Sequence, residues 1–554
     1  MSEQMQLTLR IQGMTCDGCA RHVAEALRSV PGVREATVSS WRSGTAQAVV
    51  GPDVADQQLI DAVARTGYRA ALLVRQSLEA GRWVSTAKGA DFDLFIIGGG
   101  SAAFSAAIKA AELGAKVAIA EKGTIGGTCV NIGCVPSKTL IRAAELCYRS
   151  AYPSFEGLAA CPPPSDWQRV IAQKNELVAS LREGKYIHVA EAYPNITILK
   201  GEAKLVEGTG VSLNGTRYSP GKIVIATGSH PWTPPVPGLA EAGYLDSTEA
   251  LSLSTLPDSM IVVGGGVIGL ELGQFFARFG VHVTLLERGP HLAPGEDPEI
   301  GAALARYLRE EKIQVHTEVQ LRRVERDQGQ YRLEAEVAGT ARTFRAEQLL
   351  VTTGRRPTTE GFGVEEAGVR LGGRGEILVD EHLQTTNPDI YAAGDVIGDP
   401  MLVYVAAYAG GLAAENALTG IGRLYDLSTL PRVTFTDPQI ASVGVTESQA
   451  REKGFPIKTA ILELKDVPRA IAARNTRGFF KLIAEEGTGR LLGAHVLAAE
   501  AGEVIQEATL AIRFGLTVQD LIGTFHPYLT MAEGLKLASL TFEKDVKKLS
   551  CCAS

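Results

Sequence analysis

The chain has 554 residues, 45% hydrophobic and 21% charged, the balance of a soluble globular protein, which excludes global disorder. Net charge is −7, no block of five or six like charges occurs, and no apolar stretch reaches the ~18 residues of a membrane span. Neither nucleic-acid binding nor membrane insertion is therefore expected. Residues 1–10 lack the basic and apolar regions of a secretory signal, so a cytoplasmic protein is expected.

Within 5–74, strand-type alternation over 6–11 is followed by helical spacing over 17–29, and a strand pair over 33–40 and 45–50 by a helix over 56–65 and a strand over 68–74. That βαββαβ order predicts a ferredoxin-like module at 1–74, and the aperiodic polar stretch 75–90 reads as a linker. From 92 the pattern becomes strand, glycine turn, helix and strand (92–97, 102–113, 116–121), and it recurs at 260–263, 268–279 and 282–287. Two copies of a mononucleotide-binding unit imply two bound nucleotides. From about 427 onward, strand-like runs (479–483, 491–496) mix with helix-like ones (502–514, 531–540), predicting a third large domain.

The first turn, Gly98-Gly99-Gly100-Ser101-Ala102-Ala103, has the form GxGxxA, with Glu121 following 23 residues after Gly98. Gly98 permits the turn, Gly100 lets backbone approach a pyrophosphate, Ala103 allows close helix–strand packing, and Glu121 can accept from ribose hydroxyls. Gly264, Gly266 and Gly269 repeat the arrangement, with Glu287 again 23 residues on. Glu287 should repel the 2′-phosphate of NADPH and favour NADH, whereas the adjacent Arg288 could face that phosphate instead. The sequence leaves both open.

Six of the eight cysteines form three close pairs: Cys16/Cys19, Cys129/Cys134 and Cys551/Cys552. In a long chain with no export signal, such pairs point to metal or redox chemistry before a structural scaffold. Cys129 and Cys134 lie in Gly126–Lys138, GGTCVNIGCVPSK, and their spacing can close a small disulfide ring. Pro136 predicts a helix start there, and the helix dipole and Lys138 should both favour thiolate. Cys16 and Cys19, in GMTCDGCA at a loop–helix junction, suit a soft, low-coordinate ion. Cys551 and Cys552 stand on a C-terminal tail. Cys147 and Cys161 match no motif and are expected to be structural.

GGTCVNIGCVPSK, the two fingerprints, Ile225-Ala226-Thr227-Gly228 and Ala392-Ala393-Gly394-Asp395 resemble the pyridine nucleotide–disulfide oxidoreductase family from about residue 92 onward. The resemblance implies an α/β protein with two Rossmann-like domains, for FAD and NAD(P), and an α+β C-terminal dimerisation domain. The ferredoxin-like module ahead of them resembles a heavy-metal-associated domain. Implied boundaries are 1–74 for the metal-binding module, 75–90 for the linker, 91–245 and 361–426 for the FAD-binding domain, 246–360 for the NAD(P)-binding domain and 427–554 for the dimerisation domain. Gly98, Gly100, Ala103, Glu121, Gly127, Thr128, Lys138 and Asp395 then fall to FAD, with Asp395 on the ribityl chain. Gly264, Gly266, Gly269, Glu287 and Arg288 fall to NADPH, or to NADH given Glu287. Cys134 would lie against the flavin and Cys129 face the substrate, with Lys138 and Glu271 as an ion pair beside them.

With the thiol pairs at both ends, the chain is similar to the mercury-reducing branch of that family, which implies reduction of thiol-bound Hg(II) to Hg(0) for detoxification. The metal-handling residues would be Cys16, Cys19, Cys129, Cys134, Cys551 and Cys552. Tyr528 and Tyr186 match tyrosines lining the metal site. In the wider family a histidine matching His526 is followed five residues later by a glutamate, whereas here Glu533 comes seven later, which puts a His–Glu acid–base pair in doubt. The resemblance implies a homodimer in which the tail and His526 of one subunit complete the partner's site, with mercury-transport or organomercurial-cleaving partners. The competing expectations are a dihydrolipoamide or glutathione-type disulfide reductase, and a soft-metal chaperone with an inactive reductase domain.

Overall fold

A computed structural model describes residues 5–14, 16–38, 41, 44–51, 53–77, 89–161, 166–206 and 210–544. The N-terminal module is an antiparallel four-stranded sheet in the order Val33–Thr37, Thr45–Val50, Met5–Gln12, Arg69–Ser77. Leu7, Leu9 and Ile11 alternate onto one face and meet Val23 and Leu27 of helix Asp17–Arg28 and Leu59 and Val63 of helix Asp56–Ala64. The βαββαβ expectation holds. The last strand runs to Ser77, three residues into the stretch expected as linker, because its pairing with Met5–Gln12 continues that far. The rest of that stretch to residue 88 lies outside the described residues.

Strands Ile390–Ala392, Lys222–Ile225, Leu94–Ile97, Val117–Glu121 and Ile196–Lys200 form a parallel five-stranded sheet in that order. All four residues of Leu94–Ile97 are buried, as a parallel strand covered on both faces requires. The alanine-rich helix Ser101–Glu112 packs on Val403–Thr419, which approaches so closely that a Cβ on Gly410 would lie 2.0 Å from the Ala102 carbonyl oxygen. A chain segment about 300 residues downstream is thereby fixed over the first glycine turn. The second parallel sheet runs Gln314–His316, His282–Leu286, Ser259–Val263, Gln348–Val351, with helix Val267–Arg278 entering from its glycine turn.

The C-terminal unit is an antiparallel sheet, Arg432–Thr434, Gln439–Gly444, Leu491–Ala498, Phe479–Glu485, Ile457–Glu463, covered by helices including Ala501–Arg513 and Glu533–Leu540. Phe480, Ile505 and Leu535 are buried in its core. Leu510, Phe514, Phe525, Tyr528 and Leu529 are exposed, a concentration of apolar surface that suits burial against another molecule. A buried ionic network ties this unit to the second sheet's domain: Arg278 donates to Glu311 at 2.7 Å and to Asp437 at 3.0 Å, and Arg477 reaches the same two carboxylates. Among the described residues no helix is long and apolar enough to cross a membrane.

Candidate functional site

The first glycine turn opens a backbone furrow at the N-terminus of helix Ser101–Glu112. Gly98 has φ +115°, and a Cβ there would lie 2.2 Å from the Ala226 carbonyl oxygen. Gly127 has φ +64°, and its Cβ would lie 2.6 Å from Gly100 Cα, so the Gly126–Lys138 loop packs backbone to backbone on the glycine turn, with no room for a side chain on Gly127. The furrow, with helical N–H groups pointing into it, fits a dinucleotide pyrophosphate. Glu121 closes it, accepting from the Gly123 N–H at 2.6 Å.

Gly127 also starts the short helix Gly127–Ile132, which carries Cys129, and after Gly133 the helix Cys134–Ala151 begins. The long helix starts at Cys134 with Pro136 in its first turn, so its positive end falls at Cys134 as expected. Proline occupies its first turn, where an amide N–H is dispensable, and the thiol takes the positive end. Gly133 fits the junction tightly, since a Cβ there would lie 3.0 Å from the Thr128 carbonyl oxygen and 3.4 Å from Cys129 Cα.

The two cysteines stand as hydrogen-bonded thiols. Cys129 donates to Cys134, and that bond, reinforced by the nearby Lys138 ammonium, brings Cys134 down to about 7 despite burial. The same bond and burial push Cys129 well up. Of the two sulfurs, Cys134 is therefore the one that ionises first, with Cys129 as its hydrogen-bond donor.

Lys138, one turn along the same helix, meets Glu271 of helix Val267–Arg278 with Nζ 2.6 Å from Oε2. Glu271 is buried and its other oxygen accepts the Phe435 N–H at 2.9 Å, while the Phe435 ring lies 4.8 Å from Lys138 Nζ. One carboxylate thus joins the thiol-bearing helix, the second nucleotide unit and the C-terminal unit. Phe435 carries no chemical motif, so sequence reasoning missed it.

A second chain of polar groups ends near the thiols. Ser229 Oγ donates to Asp395 Oδ2 at 2.7 Å, and Arg355 donates from Nε to Ser229 Oγ at 2.8 Å. Arg355 is held by burial below its ordinary basicity and feels the charges of Asp395, Asp246 and Cys134. Neither Ser229 nor Arg355 was foreseen, since each gains its meaning only from contacts more than 100 residues away.

Tyr186 sits in a π-helical turn, Glu183–Ile187, with its hydroxyl 3.5 Å from Ser101 Oγ and its ring edge-on to Phe104 at 4.9 Å. Burial and the charges of Cys129 and Cys134 push its phenol up, which locates it beside the thiols. Ser101, Phe104, Lys185, Tyr186 and Tyr404 line a cavity of about 550 Å³. Tyr528 is half exposed on the segment after the helix Val518–Gly523, away from burial in its own subunit.

His526 has a carboxylate partner after all, Glu507 of helix Ala501–Arg513, at 2.7 Å from Nε2. The doubt about a His–Glu pair is thus corrected: the carboxylate comes from another helix, not from Glu533. Its Nδ1 contacts the Thr524 carbonyl oxygen at 3.0 Å, so both ring nitrogens are engaged within the chain.

At the second turn, the Glu287 carboxylate accepts from the Gly265 N–H at 2.6 Å and the Gly289 N–H at 2.5 Å. Gly269 lies hard against the turn, where a Cβ would come 1.9 Å from the Gly264 carbonyl oxygen, while Gly266 leaves open space. Arg288 is exposed.

In the N-terminal module Cys16 and Cys19 sulfurs are 3.2 Å apart at the start of helix Asp17–Arg28. Cys16 is exposed and Cys19 buried, and hydrogen bonding to Cys19 pushes the Tyr68 phenol up. Of the two cysteines expected to be structural, Cys147 is partly buried, with its thiol raised by desolvation, but Cys161 is exposed, which corrects that expectation. It lies in a loop whose backbone hydrogen-bonds to Ser150 and leaves the side chain at the surface. Cys551 and Cys552 lie outside the described residues.

Comparison with known proteins adds three family matches: pyridine nucleotide-disulphide oxidoreductase over residues 92–410, its dimerisation domain over 430–539, and a heavy-metal-associated domain over 8–69. The chain is 46% identical to the mercuric reductase of Bacillus cereus over 549 residues, 98% of this chain and 86% of that protein. It is 46% identical to that of Lysinibacillus sphaericus (98% of this chain, 99% of that one). With that of Streptomyces lividans it shares 51% identity over 83% of this chain and 98% of that one. In structure it is similar to the HOCl-induced flavoprotein disulfide reductase RclA from Escherichia coli, with TM-score 0.73 and 32% identity over 81% of this chain and 99% of that one. The exposed apolar residues of the C-terminal unit lie in the matched dimerisation domain, and the protein pairs as a homodimer. From the furrow at Gly100, the thiol–thiolate pair and these matches together, the chain belongs to the pyridine nucleotide-disulphide oxidoreductases and, within them, to the mercuric reductases.

Proposed function

We propose that the protein reduces thiol-bound Hg(II) to elemental mercury with a reduced pyridine nucleotide, Cys129 and Cys134 being the sulfurs that present the metal. The observation that carries this reading is the pairing of a thiolate near neutrality with a thiol that hydrogen-bonds to it, beside a buried ion pair. Soft ligands in a pair suit a two-coordinate soft ion.

Each exchange is one substitution. Cys129, on the substrate side, forms the first sulfur–mercury bond, its proton passing to the carrier thiolate that leaves. The Cys134 thiolate then replaces the second carrier, which leaves as a thiolate and needs no proton from the protein. Gly98, Gly100, Gly127, Thr128, Glu121, Lys138 and Asp395 would hold FAD, which when bound relays two electrons from the nicotinamide to the sulfur side. The overall change consumes one hydride and one Hg(II) and yields Hg(0), oxidised nucleotide and one proton. Lys138 balances the thiolate charge and Glu271 fixes Lys138. Elemental mercury takes up no proton, so this reading gives the His526–Glu507 pair no step to perform.

In the homodimer, Tyr528, His526 and the Cys551/Cys552 tail of one subunit would complete the partner's site, the tail receiving the metal before the inner pair does. Cys16 and Cys19 would acquire Hg(II) when other thiols are scarce. The test is nucleotide oxidation by the purified yellow protein with Hg(II) in excess thiol, with mercury vapour trapped. Vapour release should track oxidation and vanish in Cys129→Ala or Cys134→Ala. Turnover on oxidised lipoamide or glutathione with Hg(II) acting only as inhibitor would overturn the reading.

A further inference from the structure

We infer that the second nucleotide site takes NADH in preference to NADPH, with Glu287 as the residue that sets the choice. The inference rests on the reading of this protein as a pyridine-nucleotide oxidoreductase and is independent of its metal substrate.

The argument is internal to the chain. Its two glycine turns hold their acidic residues in the same geometry. At the first, the Gly123 N–H donates to Glu121 Oε1 at 2.6 Å, and a Cβ on Gly99 would lie 2.9 Å from Glu121 Oε2 and 3.0 Å from its Cβ. At the second, the Gly289 N–H donates to Glu287 Oε1 at 2.5 Å, and a Cβ on Gly265 would lie 2.9 Å from Glu287 Oε2 and 3.0 Å from its Cβ. An apolar side chain flanks each turn alike: a Cβ on Gly99 would lie 2.8 Å from Ile125 Cδ1, and one on Gly265 2.8 Å from Leu292 Cδ2. The first site is read as that of FAD, whose adenosine ribose carries a free 2′-hydroxyl. A carboxylate set identically at the second site is built for the same ribose diol.

The second carboxylate is also the more firmly held. Glu287 Oε2 accepts the Gly265 N–H at 2.6 Å in addition to the bond from Gly289, so each oxygen is tied to a different backbone donor. Both bonds must break before it can swing aside to admit a phosphate dianion. Arg288 follows on the exposed side, and a single exposed guanidinium offsets little of the repulsion between a fixed carboxylate and a 2′-phosphate.

The test is calorimetric binding of NAD+ and of NADP+ to the flavin-loaded homodimer without mercury, so that its outcome does not depend on turnover. NAD+ should bind on the order of 100-fold more tightly than NADP+. In Glu287→Ala, NAD+ should weaken and NADP+ strengthen until the two differ by less than about threefold. Equal affinities, or tighter NADP+ binding, in the unmodified protein would overturn the inference whatever the variant does. An NAD+ preference left intact in a folded, flavin-loaded Glu287→Ala would overturn the assignment to Glu287. Failure of mercury reduction with normal NAD+ binding would bear on the proposed function alone.

Discussion

Replacing Lys138 with methionine should raise the Cys134 thiol by about one pKa unit. In the native protein Cys134 stands at about 7, chiefly through the hydrogen bond from Cys129 and next through Lys138. The two residues are one helical turn apart, so their side chains start ~5–6 Å from one another. Lys138 is 33% exposed. An effective dielectric of ~40, between the ~20 of surface pairs and the ~80 of water, gives about 1.4 kcal/mol at ~6 Å. That energy corresponds to about one pKa unit. The sign is upward on both counts: a charge that favours thiolate is lost, and Glu271, which already pushes Cys134 up, is left unopposed. At pH 7 the thiolate fraction should fall from about one half to about one tenth. The assay is ultraviolet thiolate absorbance of the reduced protein titrated with pH, with Cys134→Ser removing the step and so identifying it. A midpoint that stays in place or moves down in Lys138→Met would refute the electrostatic role given to Lys138.

Three further outcomes are expected. Gly127→Ala drives a methyl group toward Gly100 Cα, 2.6 Å away, from a left-handed backbone, so the variant should purify colourless; a protein with full flavin content contradicts the furrow. Deleting residues 1–77 removes a module with its own core and should leave flavin content and turnover on simple thiol complexes unchanged, whereas loss of either would show that the module supports the reductase. Replacing Cys551 and Cys552 with alanine should slow turnover most when mercury is presented as a tight dithiol complex, and an equal rate with every carrier would dismiss the tail as a relay.

Much of the site was legible because its chemistry is local. A glycine turn, the helix it opens and the acid ending the next strand fall within about 25 residues, and pyrophosphate binding depends on backbone geometry that glycine spacing records directly. The Cys129/Cys134 spacing likewise survives in the chain as text. Two misreadings have physical causes. Cys161 is exposed because loop burial follows tertiary contacts, with no period in the sequence to announce it. His526 found Glu507 on a neighbouring helix, where a search by fixed spacing along the chain does not look.

By itself the sequence determined which sulfurs stand in close pairs, that the chain carries two nucleotide-binding glycine turns, and the order of its folding units, since each is written in residues close together. Only the tertiary structure decided the electrostatics: Glu271 and Phe435 around Lys138, Arg355 and Ser229 beside Asp395, and the two backbone donors that fix Glu287. Charges act through space and the dielectric around them, and burial sets both, so the balance of thiol pair, ion pair and backbone-held carboxylate exists only once distant segments have packed.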